Sequence, residues 1–121
     1  MIQKRKSEFI EERAQDEKLS FSNLVVRYAR EVPPGRVTTY GALSRAAGGG
    51  SMGARSITSV LAKAWNNGVR DIPFHRIVYA DGRIWMAPEY EAERTKKYKK
   101  ENIEILNGKI KDFHDKLYEF K

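Results

Sequence analysis

At 121 residues, with 40% hydrophobic residues and five Phe, six Tyr and two Trp, the chain has the size and composition of one globular domain, not of a disordered segment. Lys and Arg outnumber Asp and Glu by 23 to 16, a net charge of +7 that favours a polyanionic partner, nucleic acid ahead of an acidic membrane. There is no cysteine, which excludes disulfides, thiolate chemistry and Cys-based zinc sites.

Residues 1–20 are mostly charged, with Phe9, Ile10 and Ala14 as the only hint of a helical stripe. They read as a polar arm or a short N-terminal helix ahead of a domain over 21–121. No apolar run reaches the length of a membrane span, and the opening MIQKRKSEF lacks a signal-peptide core, so a reduced, cytoplasmic setting is expected. In FSNLVVRYAREV, Leu24, Val25, Tyr28, Ala29 and Val32 recur at helical spacing behind a cap at Ser22 or Asn23. Pro33-Pro34-Gly35 ends that helix, because proline cannot continue the hydrogen-bond ladder. After a short extended piece, Arg36-Val37-Thr38, a second helix is expected from a cap at Thr38 or Thr39. It turns Leu43, Ala46 and Ala47 inward and breaks at Gly48-Gly49-Gly50-Ser51.

A third helix, about Gly53 to Trp65, carries Ile57, Val60, Leu61 and Ala64 on one face and Arg55, Ser56, Ser59 and Lys63 on the other. Two helices around a glycine turn, the second with small polar residues and Arg outward, have the layout of a helix-turn-helix. Beyond Asn66-Asn67-Gly68, Ile77-Val78-Tyr79 and Arg83-Ile84-Trp85 flank Asp81-Gly82 and predict a hairpin or wing. A basic helix follows Pro88, about Glu89 to Asn102. Asn107-Gly108, between Ile105-Leu106 and Ile110, predicts a second small hairpin closing over the core. The fold class expected is mainly α, winged-helix-like, with a helix-turn-helix and a small β wing.

Several kinds of chemistry find no support. The glycine-rich stretch from Gly48 to Gly53 precedes a helix, but Gly53-Ala54-Arg55 stands where a phosphate loop needs Gly-Lys-Ser/Thr. His75 and His114 are far apart and lack companions at ligand spacing, so no metal site is expected. Ser51, Ser56 and Ser59 lack a nucleophile-elbow context.

The informative stretches are Arg36-Val-Thr-Thr-Tyr40-Gly41, Ala54-Arg55-Ser56-Ile57 and Pro73-Phe74-His75-Arg76-Ile77-Val78. In this order and spacing, over about residues 21–104, they resemble the DNA-binding domain of the alkylguanine-DNA alkyltransferases. That family shows Gly-Arg-Val-x-x-Tyr-Gly, an Ala-Arg-x-Val recognition helix, an Asn hinge and Pro-Cys-His-Arg-Val. Phe74 stands at the position of the nucleophilic cysteine. Such a replacement, usually Trp or Ala, marks the alkyltransferase-like proteins. A benzyl group has no lone pair with which to attack an alkyl carbon, so the protein is expected not to be an enzyme.

The resemblance implies that double-stranded DNA carrying alkylated guanine is bound by nucleotide flipping, with no cofactor, by a monomer that flags the lesion for other repair machinery such as nucleotide excision repair. A repair-protein partner is then implied as well. Arg55 resembles the arginine that fills the stack after flipping, on a helix that enters the minor groove with Ser56 and Ser59 facing DNA. Tyr40 resembles the residue that crowds the phosphate beside the flipped nucleotide, and Asn66 or Asn67 the hinge. Phe74, Tyr40, Trp85 and Met86 are the implied lesion pocket, and His75 and Glu101 a vestigial relay, with Arg76 a structural charge. Two departures stand out. Thr58 and Ser59 replace glycines common in the family, and the loop Trp85-Met86-Ala87-Pro88 lacks a probing arginine, so that such probing comes from Arg83 or is absent. The rival readings are an ordinary winged-helix regulator of undamaged sites and a module that recruits a separate repair enzyme through its basic last helix.

Overall fold

A computed structural model describes residues 21–120. The expected N-terminal arm lies outside that range. A helix through residues 21–31, α1, ends at Pro33-Pro34-Gly35, with Gly35 at φ +87. The short strand β1 (Thr38–Thr39) leads directly into α2 (Tyr40–Ala46), whose cap is Thr39: its Oγ1 accepts the Ala42 N–H at 3.0 Å. A single helical turn, α3 (Gly50–Gly53), and a 3-10 turn (Ala54–Ser56) precede α4 (Ile57–Asn66). The third helix thus opens as 3-10, and Arg55 sits on that opening turn instead of inside the α-helix.

The triple glycine lets the chain after α2 pack against Phe21 of α1. Gly48 and Gly50 take positive φ. Gly49 does not: at φ −90 any residue would be comfortable. Its constraint is steric, because a Cβ there would collide with the Phe21 ring and touch Ser44 Oγ at 3.0 Å.

The apolar stripes meet in two clusters. Val25, Ala29, Leu43, Ala47, Ile57 and Leu61 join α1, α2 and α4, with Ile72 and Ile77 closing one side. Val37, Val78, Ile84, Tyr98, Ile103 and Ile110 form the second cluster under the C-terminal half. The strand β2 (Ile77–Val78) links them, since successive side chains point to opposite faces and Ile77 serves one cluster and Val78 the other.

The pairing of β2 corrects the expected wing. It runs parallel to β1, with Thr38 opposite Ile77 and Thr39 opposite Val78, and does not pair with Arg83–Trp85. Only the turn survives: Tyr79 N–H donates to the Arg83 carbonyl and Gly82 N–H to the Tyr79 carbonyl, each at 2.9 Å. The physical reason is burial. Ile77 and Val78 are covered on both faces and take an interior partner, whereas Ile84 is buried between the exposed Arg83 and Trp85 and pairs at the surface. Arg83 bridges Lys109, and Ile84 N–H donates to the Gly108 carbonyl at 3.0 Å. The second expected hairpin is present: β3 (Ile105–Leu106) and β4 (Lys109–Ile110) pair antiparallel around Asn107 and Gly108, at φ 53 and φ 76.

The basic helix α5 (Glu91–Lys100) follows a 3-10 turn, Pro88–Tyr90, and buries only Tyr98. After the short α6 (Phe113–Lys116), Leu117 bridges Val37 in parallel on the free edge of β1. No helix of the described residues is long and apolar enough to cross a membrane. The glycine argument carries a test: Gly49→Ala lowers unfolding stability by about 1–3 kcal/mol, the range for inserting a methyl into packed space. The measurement is a urea midpoint that falls while the slope is unchanged.

Candidate nucleic-acid interface

The outer face of α4 is lined by small and cationic groups. Arg55, Thr58, Ser59, Ala62 and Lys63 are exposed, as are Asn66 and Asn67 at its end. Ser56 is half-buried, and its hydroxyl is committed to the Gly53 carbonyl at 2.8 Å. Asn66 is the last residue of the helix. Asn67 caps it with a backbone N–H to the Lys63 and Ala64 carbonyls, before Gly68 turns the chain at φ +102.

Tyr40 opens α2 and packs on Tyr79, ring centroids 5.4 Å apart. Burial and the neighbouring Tyr79 raise its pKa, while a hydrogen bond with the Thr58 side chain pulls the other way. Tyr40 therefore stands as a neutral hydroxyl beside α4. Thr58, which departs from the family's glycine, is in contact with it.

Phe74 begins a 3-10 turn, Phe74–Arg76, forced by Pro73 and by the bond from Phe74 N–H to the Ile72 carbonyl at 3.0 Å. Its ring is 42% exposed, too open for a core plug. It meets Trp65 edge-on at 5.6 Å, and the Arg70 guanidinium covers the Trp65 ring at 4.7 Å. Trp85 instead pairs with Tyr90 at 5.6 Å, and both Trp85 and Met86 are exposed. The site residues thus fall into three aromatic pairs, Tyr40 with Tyr79, Phe74 with Trp65, and Trp85 with Tyr90.

Behind Phe74 the turn is locked by one carboxylate. Glu101 accepts Arg76 Nε on Oε1 and Arg76 Nη2 on Oε2, each at 3.0 Å, and the Gly35 N–H on Oε1 at 3.0 Å. His75 Nε2 also contacts its Oε2. Arg76 Nη1 reaches the Val32 carbonyl at 3.0 Å, and Tyr98 donates to the His75 carbonyl at 2.6 Å. Burial would raise Glu101, but Arg76, the Gly35 amide and His75 together hold it at about 2. Burial lowers His75 despite Glu101, so the ring is neutral at pH 7 and donates its Nε2 proton to the carboxylate. Nδ1 is buried with no hydrogen-bond partner among the described residues. Arg76 is the structural charge expected from the sequence.

Sequence reasoning missed Trp65, Arg70, Tyr79 and Tyr98. Tyr98 had a legible signal, the one large aromatic ring within an otherwise polar helix. Trp65 had none, since at the end of α4 it reads as one more apolar helix residue.

A model of the 6-O-methylguanine DNA methyltransferase DNA-binding domain matches residues 20–103. The chain belongs to this family. Two solved structures of the S. pombe protein Atl1 share its fold. One, in complex with damaged DNA containing O6-carboxymethylguanine, is 23% identical with a TM-score of 0.66, covering 82% of this chain and 94% of that one. The other, of S. pombe ATL in complex with DNA, is 24% identical at the same TM-score and coverage. A search of curated proteins finds no match. A family member without any cysteine has no thiol to receive an alkyl group.

The lock has a pH signature. A carboxylate held at about 2 against an ordinary 4.5 gives stability that is full above 4.5 and is lost as pH falls toward 2. Glu101→Gln removes this dependence and leaves Arg76 without its anion, at a cost of about 3 kcal/mol near neutral pH. Denaturant melts of both proteins from pH 7 to pH 2 check it: the difference narrows only below 4.5.

Proposed function

We propose that the protein binds alkylated guanine in duplex DNA by extruding the nucleotide toward Phe74, without accepting the alkyl group, and flags the lesion for other repair machinery. The observation that carries this reading is Phe74 itself: an exposed aromatic ring on a locked turn, which by its sequence resemblance stands where the family places its nucleophile. A fixed, open aromatic face binds a flat base by stacking and offers it no nucleophile. The S. pombe neighbour solved with O6-carboxymethylguanine in DNA supports the same substrate class.

The other roles follow from placement. Arg55, on the 3-10 turn that opens α4, fills the gap left in the stack, which offsets part of the few kcal/mol that flipping costs. Tyr40 crowds the phosphate of the extruded nucleotide, and its neutral hydroxyl avoids a clash of like charges. Ser59 and Lys63 lie along the strand, and Asn66 and Asn67 act as the hinge between α4 and the Phe74 turn.

Paired titrations against duplexes with and without a single O6-alkylguanine test this. Lesion DNA binds more tightly than intact DNA, and labelled alkyl groups stay on the DNA. Phe74→Ala weakens lesion binding by about 1–3 kcal/mol, the worth of one base on an aromatic ring. It leaves intact-duplex affinity and melting temperature in place, because the ring is at the surface. Equal affinity of the native protein for both duplexes overturns the proposal.

A further inference from the structure

Residues 82–84 run beside the β3–β4 hairpin, held by the Arg83–Lys109 bridge and by bonds from Ile84 N–H to the Gly108 carbonyl and from Ile110 N–H to the Gly82 carbonyl, and the unit has one face in the core and one in solvent. Ile84, Ile105 and Ile110 point inward to the second cluster. Arg83 bridges Lys109, and Lys109 pairs with Leu106, so these three share the outer face. Trp85, the residue after the inward Ile84, is exposed next to this face. This face is unusually apolar for a surface: Trp85 is 52% exposed and Leu106 62%, with Tyr90 against Trp85 and Met86 beside the turn at Gly108.

Its cations are set around the aromatics. Asp81 holds Arg83 through Nε at 2.8 Å, while neither terminal guanidinium nitrogen has a hydrogen-bond partner among the described residues. The same guanidinium lies over the Tyr79 ring at 5.4 Å, and Tyr79 stacks on Tyr40. The outer face is therefore continuous with the edge of the interface described above. Exposed rings beside outward cations form the standard surface for a nucleic-acid strand, since every base has a π-face and every phosphate a charge. A protein partner would gain from the rings but not from the cations, in a chain of net charge +7.

We infer that this outer sheet face is a second nucleic-acid site, on which an unpaired nucleotide stacks against Trp85 while adjoining phosphates meet Arg83 and Lys109. The site needs no lesion, so it stands or falls apart from the function proposed above. It gives the protein a grip on locally opened DNA next to the helix that enters the duplex, and it assigns Trp85 to strand binding instead of to the wall of the Phe74 pocket.

The test uses an undamaged oligothymidine of about twelve nucleotides and the full chain. In Trp65→Phe, Trp85 is the one remaining tryptophan, and its fluorescence is quenched on binding. In the otherwise native chain, Trp85→Ala weakens oligothymidine binding at least five-fold, with an unchanged melting curve. Arg83→Gln with Lys109→Gln lowers the slope of log affinity against log salt by about 1.4, the value for two single-strand phosphates. Absence of quenching together with native oligothymidine affinity in Trp85→Ala overturns the inference. So does a Trp85→Ala protein that keeps oligothymidine affinity and loses only its preference for alkylated duplex, which would return Trp85 to the lesion pocket. A protein blind to lesions that still shows the quenching and the five-fold loss fails the proposed function and keeps this site.

Discussion

The arrangement around Phe74 depends on the carboxylate of Glu101. Three groups from two separate stretches converge on it from the end of α5, where Glu101 stands: the Arg76 guanidinium and His75 ring from the 74–76 turn, and the Gly35 amide from the Pro-Pro-Gly turn. Arg76 adds a bond to the Val32 carbonyl at the end of α1. A buried anion needs such partners, because desolvation is repaid only when its lone pairs are satisfied. The outcome is geometric. The turn has little freedom of its own, and the ring in front of it points where the lock directs it.

Chemistry and architecture are separable in this domain. His75 is neutral, donates toward Glu101 and has no partner for Nδ1 among the described residues, a state suited to polarising a neighbouring group. No thiol stands in front of it. The same hydrogen bonds hold the turn that carries the exposed Phe74 ring, a use that depends on rigidity and not on proton transfer.

The sequence showed most of what is local. Helical spacing placed α1, the threonine cap placed α2, and Asn107-Gly108 placed the β3–β4 turn, because each depends on neighbours within a few residues. It misassigned β2, since two adjacent buried apolar residues fit a hairpin arm or an interior parallel strand equally well, and the partner that decides lies far away at Thr38–Thr39. The site divides in the same way. Tyr40, Arg55 and Phe74 sit in short motifs and were legible. The meeting of His75 with Glu101, 26 residues apart, came only by resemblance. The Trp65–Phe74 pair arises from how the chain returns after Gly68, for which no periodic pattern exists.

The order of assembly follows from where the partners of residues 74–76 lie along the chain. The fully buried residues of the first cluster, from α1, α2 and α4 with Ile72 and Ile77, all lie within residues 25–77, and Phe120 packs against them from the C-terminal segment. A chain emerging from the ribosome can bury that half early, through contacts of modest sequence separation. Tyr98 and Glu101 come later, and Leu117, which closes the free edge of β1, later still. The helical half therefore exists as a nascent unit before its aromatic ring is aimed. The contacts that aim Phe74 thus come from residues that follow α1, α2 and α4 in the chain and not from those helices alone.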